Sequence, residues 1–242
     1  MSRSRPGAQR RVLVRTTGLR AFREALVDRA LDGPPLDVRR RAIIVPTRAS
    51  AQVLRQTIER AMTAKGKTAI VLPDLLTRDE WIRRLHAAVP GAPPLLSRTA
   101  RELLLARAGW EAAARTRMPG APFQLRPGLV SELLRFYDEL RLRQRTVRRM
   151  ARAIFDELRV ERGTDRGSEG LIHQASFMGF AFLGYDRAVA ASGGLDEHGL
   201  RRLLLATQPS LPFDHVVVAV ADRPSDPRGL WPADFDLLGR LY

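Results

Sequence analysis

A short apolar run that turns directly into an amphipathic helix constrains this chain more than any other feature. Ala42-Ile43-Ile44-Val45 reads as a strand, Pro46-Thr47-Arg48 as a turn, and the following helix carries Val53, Leu54 and Ile58 on one face. A strand that feeds a helix without a hairpin is the building unit of a parallel α/β sheet. Two neighbouring segments share the pattern. Arg11-Val12-Leu13-Val14 leads through Arg15-Thr16-Thr17-Gly18 towards a helix. Ala69–Leu72 leads through Pro73 towards a helix opened by Thr77-Arg78-Asp79-Glu80, whose Thr and Glu spacing is that of a capping box. The expected strands are therefore Arg11–Val14, Ala42–Val45 and Ala69–Leu72, with helices at Leu19–Leu31, Ala49–Ala64 and Arg78–Ala88.

Beyond the Pro-rich joint Gly91-Ala92-Pro93-Pro94 the strand signal disappears until residue 211. Helical spacing predicts Leu95–Gly109, with Ser97 as N-cap, then Pro127–Leu142, Thr146–Leu158, Ser168–Ala191 and Asp196–Thr207. Strand character returns at 212–221, where Val216-Val217-Val218-Ala219-Val220 has the continuous apolar run of a buried parallel strand. Another helix is expected from Pro232. The chain thus divides into 1–90 and 211–242, which share one α/β sheet, and a helical insert over 91–210. A sheet broken off at Tyr242 suggests a truncated fragment of a longer protein.

Charge narrows the class of partner. The 41 basic residues outnumber the 26 acidic ones, for a formal charge of +15 and a pI near 11.5, the footprint of a polyanion binder. Only Lys65 and Lys67 are lysines, and arginine alongside abundant Ala, Leu and Gly is also what GC-rich coding produces. The absence of cysteine excludes disulfides, thiolate nucleophiles and cysteine-ligated clusters from these 242 residues. No apolar run has the length of a membrane span, and no signal-length apolar stretch follows the N-terminal arginines.

Candidate sites follow from placement. Gly66-Lys67-Thr68 imitates a phosphate loop, but Ala61 stands where its first glycine is needed and the helix precedes the strand, so it reads as a turn. The topological position for such a loop, Arg15–Ala21, lacks Gly-Lys-Thr. Arg15 and Thr17 there, with Asp222 after the late strand, form at most a degenerate nucleotide site. Thr47 and Arg48 sit where a strand's carboxyl end meets a helix N-terminus, a position suited to phosphate contacts. The densest basic run contains Arg135, Arg141, Arg143, Arg145, Arg148, Arg149 and Arg152, offset nearby only by Asp138 and Glu139. Phe177, Phe180, Phe182 and Tyr185 read as core, and the four histidines lack metal-ligand spacing.

Together these segments resemble the N-terminal region of AddB-type subunits of bacterial helicase–nuclease complexes, which belong to the PD-(D/E)XK nuclease proteins. The likeness lies in Ile43-Ile44-Val45-Pro46-Thr47-Arg48, Val71-Leu72-Pro73-Asp74-Leu75-Leu76-Thr77, Leu95-Leu96-Ser97 with Arg101, Leu134-Arg135-Phe136-Tyr137-Asp138-Glu139-Leu140, Gly194-Leu195-Asp196 and Val216–Arg223. The resemblance implies a partial RecA-like parallel sheet of degenerate superfamily-1 helicase type, carrying a large helical insert. It implies a non-motor DNA-binding and scaffolding role in double-strand break repair, in the cytoplasm, with an AddA-type helicase–nuclease subunit as partner and no membrane. It assigns no catalytic residue to this segment. The iron–sulfur cluster and Mg would belong to a downstream nuclease part. DNA contacts are expected at Thr47, Arg48, Arg141, Arg143, Arg145, Arg148 and Arg149. The rival readings are an active NTPase or helicase domain, and a protein-interaction module that does not bind DNA.

Overall fold

The computed structural model describes residues 11–67, 69–115, 125–160, 166–221, 223 and 228–242. Among the described residues there are ten helices and three strands, and the chain forms two compact units. The first comprises Met1–Pro90, Gln208–Leu230 and Phe235–Tyr242. The second comprises Gly91–Thr207 and Trp231–Asp234.

The first unit is α/β, built on a three-stranded parallel sheet of order β2-β1-β3. Strand β1 (Arg41–Ile44) lies in the middle, with every residue buried. It pairs with β2 (Asp74–Leu76) through Ala42↔Asp74 and with β3 (His215–Val218) through Ala42↔Val216. Helix α1 (Leu19–Leu31) and helix α3 (Arg48–Ala64) contribute Val27, Ala30, Leu54 and Ile58 to a core shared with Ile43 and Val45. The one-turn helix α2 (Pro35–Val38) precedes β1. Arg41 is charged yet only 6% exposed. Its guanidinium donates to the carbonyls of Arg29, Ala30 and Asp32 at 2.7, 3.0 and 2.8 Å, so it caps the C-terminal end of α1, where the helix dipole favours a cation. Helix α4 (Arg78–Ala87) follows β2 and buries Trp81, Ile82 and Leu85.

Two expected strands are corrected. Arg11–Val14 forms no strand, and Val12, Leu13 and Val14 are exposed. Its β-branched pattern describes a segment that could pair, but a strand needs an edge to pair with, and this segment pairs with none of the described strands. The pairing expected at Ala69–Leu72 begins instead at Asp74. Ile70 and Leu72 still pack on the core, but the ladder starts only past Pro73, which has no N–H to give it.

The second unit is helical: α5 (Arg98–Arg115), α6 (Pro127–Leu142), α7 (Val147–Val160), α8 (Arg166–Ala191) and α9 (Glu197–Thr207). Leu105, Leu134, Tyr137, Phe177, Phe182 and Tyr185 form its core. The aromatic set is therefore packing material, except for Phe180, which is exposed. Ser97 caps α5 by accepting from the Ala100 N–H at 3.1 Å. Leu95 and Leu96, expected in that helix, instead meet Leu195 in a short parallel bridge, with Leu96 N–H donating to the Leu195 carbonyl at 2.8 Å. Gly184 lets α8 approach α5, since a β-carbon there would lie 3.1 Å from that of Ala108. Gly184→Val should force the two helices apart at a cost of about 1–3 kcal/mol, read from the midpoint of urea unfolding.

Candidate nucleic-acid interface

Two surfaces carry the residues expected to meet DNA, one in each unit. In the sheet-bearing unit, the carboxyl ends of β1 and β2 each run into a threonine and then an arginine that opens a helix. Thr47 is the N-cap of α3, its Oγ1 accepting from the Ser50 N–H at 3.1 Å. Thr77 caps α4 in a full capping box: Glu80 Oε2 accepts from the Thr77 N–H at 2.9 Å and from its hydroxyl at 3.0 Å. Glu80 then turns its other oxygen to the exposed Arg48, whose Nε donates to Oε1 at 3.0 Å. The Thr77 backbone bond, helped by the hydroxyl and by Arg48, holds the Glu80 carboxyl below its usual range against the opposing effect of burial. Thr47 and Arg48 thus lie on the edge of the sheet where α/β proteins place ligands.

In the helical unit the basic run forms the corner between α6 and α7. Helix α6 closes in a Schellman arrangement. Gln144 takes a left-handed φ of 59°, its N–H bonded to the Arg141 carbonyl, and the Arg145 N–H reaches the Leu140 carbonyl, both at 2.9 Å. Thr146 then starts α7, its Oγ1 accepting from the Arg149 N–H at 3.2 Å. Arg141 and Arg143 are engaged with rings inside the unit: Arg141 lies 5.9 Å from the Tyr137 centroid and Arg143 5.6 Å from that of Trp231. Arg145, Arg148, Arg149 and Arg152 are exposed and pair with no described carboxylate. Helical spacing puts Arg148, Arg149 and Arg152 on one face, opposite Val147, Met150 and Ile154.

The acids nearest the basic run in sequence neutralise only its first member, Arg135, and not the arginines of the corner. Glu139 pairs with Arg135, which also binds Glu132. Asp138 belongs to an interior network that sequence reading did not assemble. Arg101 grips it with Nη1 at 3.1 Å and Nη2 at 2.5 Å, and gives its Nε to the Tyr185 hydroxyl at 2.8 Å. His198 Nε2 lies 3.1 Å from Asp138 Oδ1, and the Tyr137 hydroxyl donates to Asp186. Burial alone would raise the Asp138 carboxyl, but the His198 and Arg101 hydrogen bonds hold it below the usual range. Burial, with Asp186 as hydrogen-bond partner, pushes the Tyr137 phenol up; burial also raises that of Tyr185. Four helices, α5, α6, α8 and α9, meet in this network, whose chemistry is that of a clamp.

The remaining candidates do not assemble. Arg15 and Thr17 lie on the exposed stretch ahead of α1, which follows no strand, so the strand-to-helix turn expected of a nucleotide loop is not formed there. Asp222 lies outside the described residues. Lys67 follows α3 in an exposed turn, with its N–H bonded to the Met62 carbonyl. No protein-family model matches the chain, and no curated protein matches it either.

Arg101→Met should cost about 3–4 kcal/mol in urea unfolding, the lower part of the range for a broken buried pair because Asp138 keeps 28% side-chain exposure. The lowered Asp138 carboxyl adds a pH signature. Its stabilisation is complete above the ordinary carboxylate value near about 4 and is lost as pH falls through the lower folded value. The mutant's deficit should therefore shrink on acid titration.

Proposed function

We propose that this chain is a non-motor, DNA-binding and scaffolding region of an AddB-type helicase–nuclease subunit, acting in the cytoplasm in double-strand break repair beside an AddA-type partner. The parallel sheet supports a RecA-like, degenerate superfamily-1 reading, as does the resemblance carried by the Val45-Pro46-Thr47-Arg48 turn and the Val216–Arg223 segment. No Gly-Lys-Ser/Thr follows a strand, which favours a binding role over an active NTPase.

The observation that carries the reading is the charge on α7. Several arginines are spent on a nearby carboxylate, as in Arg20–Glu24, Arg40–Asp214, Arg98–Glu102 and Arg107–Glu111, and scattered ones such as Arg55 and Arg60 pair with no described carboxylate. Arginine supplied only by coding bias would be scattered in the same way. Instead Arg145, Arg148, Arg149 and Arg152 gather without described partners at the N-terminal end of a helix, the positive pole of its dipole, while Asp156 and Glu157 stand further along it. Both charges are reversed relative to what helix stability favours. A phosphate backbone laid across this corner removes the repulsion, giving affinity without base readout.

A protein-contact role has its own support: Leu103 and Trp110, two turns apart on α5, are exposed at 68% and 62%. This surface suits a partner subunit and is compatible with DNA on α7.

The test is fluorescence anisotropy with a labelled duplex bearing a single-stranded tail, at two salt concentrations, with and without ATP. Binding should be steeply salt-sensitive and indifferent to ATP. The double variant Arg148→Glu/Arg149→Glu should lose at least about tenfold in affinity and flatten the salt dependence. The same variant should melt no lower than wild type, because each glutamate improves the fit to the helix dipole by about 0.3–1 kcal/mol. Unchanged affinity in this variant, or binding insensitive to salt, would remove DNA from the reading.

A further inference from the structure

We infer that Glu80 is a built-in competitor for Arg48, so that DNA must displace a carboxylate of the protein itself to engage this arginine. The inference rests on the DNA-binding reading above and adds a control over one of its contacts.

The competition follows from how each partner is held. Glu80 is anchored whether or not Arg48 is present, because the Thr77 N–H and hydroxyl both bind its Oε2. Its Oε1 stays turned towards α3, and its side chain is only 25% exposed. Arg48 is held loosely by comparison. It makes a single Nε bond at 3.0 Å, and its side chain is 78% exposed. A phosphate can accept two parallel bonds from a guanidinium, a geometry that the single Nε–Oε1 contact does not use. An exposed ion pair is weak enough to be exchanged yet strong enough to tax the competing ligand. Among the described residues, Arg48 is the only candidate DNA contact with such an internal rival. Among the other candidates, Arg145, Arg148 and Arg149 pair with no described carboxylate, and Arg141 and Arg143 lie over rings.

The substitution Glu80→Gln separates the two roles of this side chain. Glutamine keeps the capping box, since its carbonyl still accepts from the Thr77 N–H, and loses only the charge that holds Arg48. Binding of a labelled duplex, followed by anisotropy at constant salt, should tighten about two- to fivefold in Glu80→Gln. Arg48→Ala should weaken binding, and the gain from Glu80→Gln should vanish in the Arg48→Ala background. Asp79→Asn makes the same change in net charge one residue away, at a carboxylate 3.8 Å from Arg78, and should leave affinity within the error of wild type. Equal tightening in Asp79→Asn, or a gain that persists without Arg48, would overturn the inference and assign the effect to net charge. No change in Glu80→Gln while Arg148→Glu/Arg149→Glu still loses affinity would also overturn it, leaving the DNA reading intact. No binding by wild type or any variant would remove the DNA reading, and the inference with it.

Discussion

The sheet of the first unit is organised by the double pairing of β1. One side of this four-residue strand takes β2, a near neighbour in sequence. The other takes β3, whose flanking residue Asp214 meets Arg40 although the two are 174 positions apart. Because all four of its residues are buried, β1 must also satisfy the charge it carries. Arg41 does so by donating to three carbonyls at the end of α1. One strand thereby sets the sheet order and ties down the first helix. It also aims the α3 N-terminus, with Thr47 and Arg48, at the carboxyl edge where contacts with an anion are available.

How much of this was legible depended on whether the signal was local. Helices α1 and α6 coincide with the expected spans because helical spacing and end signals, Pro127 at the start of α6 among them, lie within a few residues of one another. The Thr77–Glu80 capping box was readable for the same reason. Strands fared worse. Arg11–Val14 has strand composition but no partner, and Pro73 moved the start of β2 in a way that apolar content does not reveal. At the candidate interface the identity and order of the basic residues were plain, but their state was not. That Arg48 meets Glu80, 32 residues away, and that Asp138 is claimed by Arg101 and His198, 37 and 60 residues away, are facts of tertiary packing that periodicity cannot carry.

The polar interior and the polar exterior of the helical unit therefore answer to different demands. Inside, charges are paired or capped: Arg101 with Asp138, Arg201 with the fully buried Asp234, and Asp196 as acceptor of the Gly199 N–H. Such pairing locks helices in one arrangement, since removing either partner would strand a charge in a poorly solvated place. Outside, the α7 corner keeps its cations unpaired and opposed to the helix dipole, an arrangement that lowers stability and raises attraction for anything polyanionic. The clamp tolerates that strain on the surface because the core supports α7 independently, through Val147 and Met150.

The small bridge between Leu95 and Leu195 also bears on how the chain reaches its native state. Parallel pairing of β1 with β3 requires the chain to close a loop of well over a hundred residues, the kind of non-local contact that slows folding. The bridge brings the start of the helical unit beside the segment that leads into its last helix, α9. Once that bridge has formed, the loop left for the sheet to close falls from residues 45–214 to residues 45–94 and 196–214, less than half its former length. Helical assembly first and strand docking second is then the kinetically favoured order, with β3 the last strand to join.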